Sequence, residues 1–283
     1  MESVAIVQAH LPQTEITLSL RFETWIPLPD LPVVTIRGLL GHALRAMLHP
    51  GLAGPEEAIP EDSAYWHIFK PSGQAPHPVL IDCEPGGGLA RVLLVRLRFW
   101  GTGQQWYPIC LDALEHGESA GFGPDRTPYR MEVARIEESA APWQPDWPLP
   151  ETGFGRVELL TPARLKEGGA LVHPESDILS VIVYAAIRRL RGLCETHGSD
   201  FFLHRDRLHE ALDRTQLTRM AFTLARDMRR SSRTGEHVSI GGIQGWFELV
   251  STPGLLRLLQ GAQYTAIGGK IAAGCGRVRL HLP

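Results

Sequence analysis

The chain has 283 residues, of which 43% are hydrophobic and 21% charged, with a formal net charge of −3. That length allows one large domain or two of about 140 residues, and the composition is too apolar and too weakly charged for a disordered chain. No run approaches roughly 18 uninterrupted apolar residues, so no membrane-spanning helix is expected. The four cysteines, Cys83, Cys110, Cys194 and Cys275, form no CxxC pair. This spacing argues against a zinc site or a disulfide framework and for a reducing, cytoplasmic setting. The first residues, MESVAIVQAHLPQTE, lack the basic start and cleavage site of a secretion signal.

Charge is unevenly divided. Residues 1–150 carry ten basic and eighteen acidic side chains, a balance of −8; residues 151–283 carry eighteen and thirteen, a balance of +5. A basic half on an acidic chain points to an anionic partner for that half. Its cations are nearly all arginine, which suits bidentate phosphate contacts and stacking; a genomic GC bias produces the same excess.

In chain order, TEITLSLRF (14–22) alternates as a strand does. TIRGLLGHALRAMLHPG (35–51) has the spacing of a helix, with Thr35 as its cap and Gly51 beyond its end. Residues 50–88 are rich in Pro and Gly around the denser patch AYWHIF. RVLLVRLRFWG (91–101) reads as a strand and CLDALEHG (110–117) as a short helix stopped by Gly117; GFGPDRTPYRMEVARI (121–136) is a glycine turn followed by alternation. APWQPDWPLPETG (141–153) has the composition of a linker.

The second half repeats this order. RVELLTPARL (156–165) is a strand, and SDILSVIVYAAIRRLRGLCETHG (176–198) is a long helix with Ser176 as N-cap and Gly198 as its stop. HVSIGGIQGWFELV (237–250) is a strand, TPGLLRLLQGAQ (252–263) a short helix, and RVRLHL (277–282) a last strand. Both halves therefore read β-α-β-β-α-β. The expected fold is α+β: two tandem ferredoxin-like domains, over 1–140 and 154–283, joined by the linker 141–153.

Two stretches of the basic half stand out. GGKIAAGCGR (268–277) is a glycine-rich loop. Without Cβ atoms its backbone N–H groups can approach phosphates closely, and Lys270 and Arg277 add charge; the alternative is a hinge that turns the chain into its last strand. Into and along 213–237, Leu208, Leu212, Leu217, Met220, Leu224 and Met228 fit helical spacing, and Arg219, Arg226, Arg230 and Arg233 would share one face. This predicts an arginine-lined helical insertion, with a strand through RRSSRTG as the alternative.

Five stretches in order resemble a known family: IRGLLGHALR (36–45), YWHIF (65–69), RRSSRTG (229–235), IGGIQGWFEL (240–249) and IGGKIAAGCGRVRL (267–280). Together they resemble the RAMP superfamily and, within it, the CRISPR-associated endoribonuclease that processes precursor CRISPR RNA. The resemblance implies a metal-independent cut in a repeat RNA, usually beside a hairpin. The 2′-OH of the upstream nucleotide attacks the adjacent phosphate and leaves 5′-OH and 2′,3′-cyclic phosphate ends. It implies the repeat hairpin as partner, retention of the product, and association with other subunits of a CRISPR effector complex. A non-catalytic RNA-binding subunit of the same superfamily, or a scaffold whose basic face meets an acidic protein, are the rival readings.

The chemistry so implied needs a group to take or orient the 2′-OH proton and cations around the phosphorane. Histidine suits neutral pH. His42 lies three residues before Arg45, so the two are neighbours on a helix; the alternative is a packing histidine in LLGHAL. His49 closes the same helix, where it would serve either as a helix-end cap or in the chemistry. His237 follows the arginine segment. If no histidine serves, Arg21 and Arg37 would hold the 2′-OH and stabilise the phosphorane, although arginine stays protonated and is a poor base. The expected RNA contacts are Arg45, Arg219, Arg226, Arg229, Arg230, Arg233, Gly268, Gly269, Lys270, Gly274, Gly276 and Arg277. No phosphate-binding P-loop, metal-ligand spacing or nucleophile elbow is present, so neither cofactor nor metal is expected.

Overall fold

The computed structural model describes residues 5–51, 59–70, 75–84, 86–139, 153–174, 177–197, 200–225, 228–230, 237–239 and 241–283, with backbone only for 139, 228–230 and 237–239. The fold is a mixed α+β one. It divides into two compact units: Leu11–Ser139 with Thr196–Gly198, and Met1–His10 with Ala140–Glu195 and Ser199–Pro283. The linker sequence 141–153 lies outside the described residues except for Gly153, as do Ser176 and Gly198, the expected ends of the long helix.

In chain order, β1 (Val7–Ala9) belongs to the second of these units, and β2 (Gln13–Pro27) opens the first. Then follow α1 (Pro32–Leu48), α2 (Ala64–Phe69), β3 (Val79–Cys83), β4 (Leu89–Trp100), α3 (Tyr107–His116) and β5 (Arg130–Ser139). The four strands form an antiparallel sheet in the order β3-β4-β2-β5. Alternation drives the strand: Ile16, Leu18 and Leu20 are fully buried. Helix α1 starts at Pro32, three residues before the expected Thr35 cap. The proline fixes a helical φ and needs no N–H at that position, so Thr35 lies inside the helix. Val33, Ile36, Leu40, Ala43 and Leu44 form its buried stripe, which faces α3 and β3. His49 is the C-cap, its N–H donating to the Arg45 carbonyl at 2.9 Å.

The second unit continues with β6 (Phe154–Ala163), a hairpin of β7 (Lys166–Glu167) and β8 (Ala170–Leu171), α4 (Ile178–His197), β9 (Phe201–Leu203), α5 (Arg205–Asp213), β10 (Gln216–Ala225), β11 (Met228–Arg230), β12 (His237–Ser239), β13 (Gly242–Val250), α6 (Pro253–Thr265) and β14 (Val278–His281). Its main sheet is also antiparallel and four-stranded, in the order β10-β13-β6-β14. Counted among the four strands of each sheet, both sheets run second, third, first, fourth strand. Val157, Leu159, Phe247 and Leu249 are buried on one face of this sheet, and α6 packs on β14 and α5. The α6 start is capped by Thr252, whose Oγ1 accepts from the Leu255 N–H at 3.4 Å.

The described residues of 213–237 do not form the expected arginine-lined helix. The helix α5 ends at Asp213, and from Gln216 the chain is strand, paired with β13 from Gln216↔Val250 to Ala225↔Gly242. Leu208 and Ala211 bury the helical stripe of α5. Beyond Thr215 the apolar spacing no longer marks a buried face: Leu217 and Met220 are exposed on an edge strand. Backbone pairing with β13, rather than side-chain burial, decides this segment. The expected strand 237–250 is divided into β12 and β13.

Candidate functional site

In the first unit α1 carries three of the singled-out residues in different settings. His42 is exposed, so the packing reading is overturned. Arg45 is half-buried one turn on, on the same side of the helix. Arg37 lies roughly 140° around the helix from His42 and covers another surface, its guanidinium 4.5 Å from the centre of the Phe69 ring. That ring ends α2, which Ser63 caps by accepting from the Trp66 N–H at 3.2 Å. Arg21 on β2 is engaged elsewhere, its Nε donating to Glu132 Oε2 of β5 at 2.6 Å. Both side chains are more than half exposed, so water screens the pair and it contributes about 0–1 kcal/mol. His42 and Arg45 are thus brought together, and Arg37 and Arg21 are each held by a different partner.

In the second unit the described residues of the arginine segment from Gln216 on lie on strands. Arg219 is exposed on β10, opposite Glu248 of β13. The short pair β11–β12 sets Arg229 opposite Val238 and Arg230 opposite His237. Two residues far apart in the expected helix are therefore cross-strand partners. Arg226 and Arg233 lie outside the described residues.

The glycine loop 268–277 is held far more firmly than its composition suggests. It runs along β6 beyond the point where β14 stops pairing. The Leu160 N–H donates to the Arg277 carbonyl (2.9 Å), Gly276 N–H to Pro162 (3.0 Å) and Gly269 N–H to Arg164 (2.9 Å). Thr161, 3% exposed, ties the loop from beneath: its hydroxyl donates to the Gly274 carbonyl at 2.7 Å and accepts from the Arg277 N–H at 3.0 Å. Gly268, Gly274 and Gly276 have φ of 81°, 84° and 76°. A Cβ at Gly276 would stand 1.9 Å from the Ile267 carbonyl oxygen. Here glycine is required by backbone conformation and close approach, which corrects the hinge reading.

Within the loop, exposure sorts the expected contacts. Gly274, Gly276 and Arg277 are buried, Arg277 to 8% exposure, and serve the loop's own structure. Gly269 and Lys270 are exposed at its tip, with Gly268 half-buried beside them. Lys270 itself is left-handed, at φ 60°, and opens a 3₁₀ turn over Ile271–Ala273. Thr161 was not singled out by the sequence: one threonine in an alternating strand gives no signal of a role as anchor.

Residues 11–157, more than half of the chain, match the model of an N-terminal domain named AF_1859_N, and residues 157–278 match that of the CRISPR-associated endoribonuclease Cas6. The second part of the chain, residues 157–278, thus carries the domain of the CRISPR-associated endoribonuclease Cas6. The fold of the chain is similar to that of Thermus thermophilus Cas6 (TTHB231), with 16% identity, a TM-score of 0.58, and coverage of 96% of this chain and 99% of that one. The product complex of the same Cas6 has a TM-score of 0.59 and 16% identity, covering 95% and 99%. The product complex of Cas6 (TTHA0078) has 0.56 and 18%, covering 95% and 100%. At such identity the likeness is one of fold. No curated protein matches the sequence. The Cas6 match spans Arg219, the β11–β12 pair and the loop through Arg277, while Arg21, Arg37, His42 and Arg45 fall in the N-terminal domain match. Among the described residues no helix is long and apolar enough to cross a membrane.

Proposed function

We propose that this chain binds the hairpin of CRISPR repeat RNA and cuts precursor CRISPR RNA by attack of a 2′-OH on the adjacent phosphate, leaving a 5′-OH and a 2′,3′-cyclic phosphate. The observation that carries the reading is the exposed His42 with Arg45 beside it on α1, in a chain that carries the Cas6 domain. His42 takes or orients the proton of the attacking 2′-OH. Arg45 supplies a cation for the charge that develops on the phosphorane, so the step needs no metal. Arg37, packed on Phe69, and Arg21, paired with Glu132, support the strand on either side. Lys270, Gly268 and Gly269 at the loop tip, Arg219 on β10, and the β11–β12 ribbon with Arg229, Arg230 and His237 grip the hairpin and its flanks.

The common strand order of the two sheets supports naming the units ferredoxin-like. That two of the similar Cas6 structures are product complexes supports retention of the mature guide RNA, through which the chain would meet other subunits of a CRISPR effector complex in the cytoplasm. One observation favours a second reading, a non-catalytic RNA-binding subunit: the expected catalytic side chains do not converge, because Arg21 and Arg37 are engaged by Glu132 and Phe69.

The test is cleavage of a synthetic repeat RNA in excess chelator, with the ends mapped. The expected result is a 5′-OH and a cyclic phosphate at a single position. His42→Ala should slow the cut roughly 10²- to 10⁴-fold with affinity retained. RNA that is bound and left intact by the wild-type protein would establish the second reading instead.

A further inference from the structure

Helix α1 contains two interior glycines, Gly38 and Gly41, although glycine is the least favourable helix-interior residue short of proline. Gly41 has a neighbour at ordinary van der Waals distance. A Cβ there would meet the Phe69 ring at 3.5 to 3.8 Å, on the side of the helix where Arg37 also packs. Gly38 has none. Its φ is not in the left-handed region, and among the described residues a Cβ built on it meets no atom within 4 Å beyond its chain neighbours and its own helix backbone. Neither backbone conformation nor packing calls for glycine at this position.

Its place on the helix is informative. Gly38 lies one turn before His42 and two before Arg45, on the same face. Side chains of a helix lean toward its N-terminus, so the His42 imidazole stands over the turn that Gly38 leaves bare. The exposed histidine and a half-buried turn of backbone that carries no side chain of its own at position 38 are thus adjacent.

We propose that Gly38 is a substrate-contact position, where the ribose–phosphate of the RNA strand being cut rests against the bare backbone of α1. This rests on the reading of the chain as an RNA-cutting enzyme. A 2′-OH must come within about 2.6–3.2 Å of the imidazole to lose its proton to it. A side chain at position 38 would hold the strand away from His42, and displacement by about 1 Å can cost on the order of 100-fold in rate.

The test uses Gly38→Ala and Gly38→Leu in the full chain. Three quantities are measured: the thermal midpoint, the single-turnover cleavage of repeat RNA, and the affinity for the same RNA with a 2′-deoxy nucleotide at the cut. Gly38→Ala should raise the midpoint by about 2 °C and yet slow cleavage roughly tenfold, and Gly38→Leu should slow it roughly 100-fold and weaken binding of the uncleavable RNA. A purely structural glycine could not give a more stable and slower enzyme. Gly38→Leu protein that cuts and binds like the wild type overturns this proposal and leaves the function standing. If the wild type binds RNA but does not cut it, the catalytic reading fails by itself, and equal affinity of Gly38→Leu for the uncleavable RNA then overturns the contact as well.

Discussion

Gly276→Ala should be the most damaging single-methyl change in the glycine loop. The position is left-handed, at φ 76°, which costs a residue with a Cβ about 1–2 kcal/mol. The new methyl would lie 1.9 Å from the Ile267 carbonyl oxygen, a backbone atom, so the chain itself has to move. That movement strains two hydrogen bonds that meet at this residue, Ile267 N–H to Gly276 O at 2.9 Å and Gly276 N–H to Pro162 O at 3.0 Å. Losing one with its partners still buried costs about 1–3 kcal/mol. The total is roughly 2–5 kcal/mol, a large share of the about 5–15 kcal/mol of a typical domain. Gly269→Ala is the internal control: its Cβ would meet only ordinary contacts at 3.7 to 3.9 Å, and the position is exposed. It should change stability by less than about 0.5 kcal/mol. Urea unfolding monitored by circular dichroism reads both. If Gly276→Ala is within about 1 kcal/mol of the wild type, the loop is not pinned to β6 as described and the close-approach argument fails.

Two further outcomes follow from the same structure. Lys270→Ala and Arg219→Ala should each weaken binding of repeat RNA and lower the slope of log affinity against log salt by roughly 0.7–1, as expected when one phosphate contact is lost; unchanged slopes would remove these residues from the interface. All four cysteines are buried. Burial first, and then the Glu195 and Asp200 carboxylates, push the Cys194 thiol up to about 12. At pH 8 a thiol reagent should therefore label the folded chain only as fast as it opens, and all four cysteines at once in denaturant. Because the folded thiol keeps its proton where the unfolded one loses it, Cys194 contributes stability below the unfolded pKa of about 8.5. That contribution is lost as the pH rises from there toward 12. Rapid labelling of native protein at pH 8 would contradict this burial.

Much of the scaffold was legible because one face of each element is buried. Ile16, Leu18 and Leu20 alternate into the first core, and the long run around Val181 to Leu193 could only be a helix packed on one side. The misreading of 213–237 has a definite origin. An edge strand with exposed side chains owes nothing to alternation, so Leu217, Met220 and Leu224 kept a helical spacing that no longer carried information. The pairing of β1 with β9 joins residues 7–9 to 201–203 and left no local trace. At the candidate site the sequence identified His42, Arg45 and the loop by residue type. It could not show that Arg277 is buried while Lys270 is exposed, because this depends on which residues of the loop face β6. Nor could it show that Arg21 would be claimed by Glu132, more than a hundred residues away.

The placement of β6 beside both β13 and β14 has a kinetic side. The edge of β6 that receives β14 and the glycine loop is complete only when Val278–His281 has been made, 115 residues after β6 ends. At roughly 5–20 residues per second, that edge waits about 6–23 s on the nascent chain. Closing so distant a contact is also slow in itself, since loop entropy must be overcome before the pairing is rewarded. For this interval β6 is an open sheet edge able to pair with another chain. The late position of β14 in the chain thus decides when the second sheet can close, and the loop's glycines decide how.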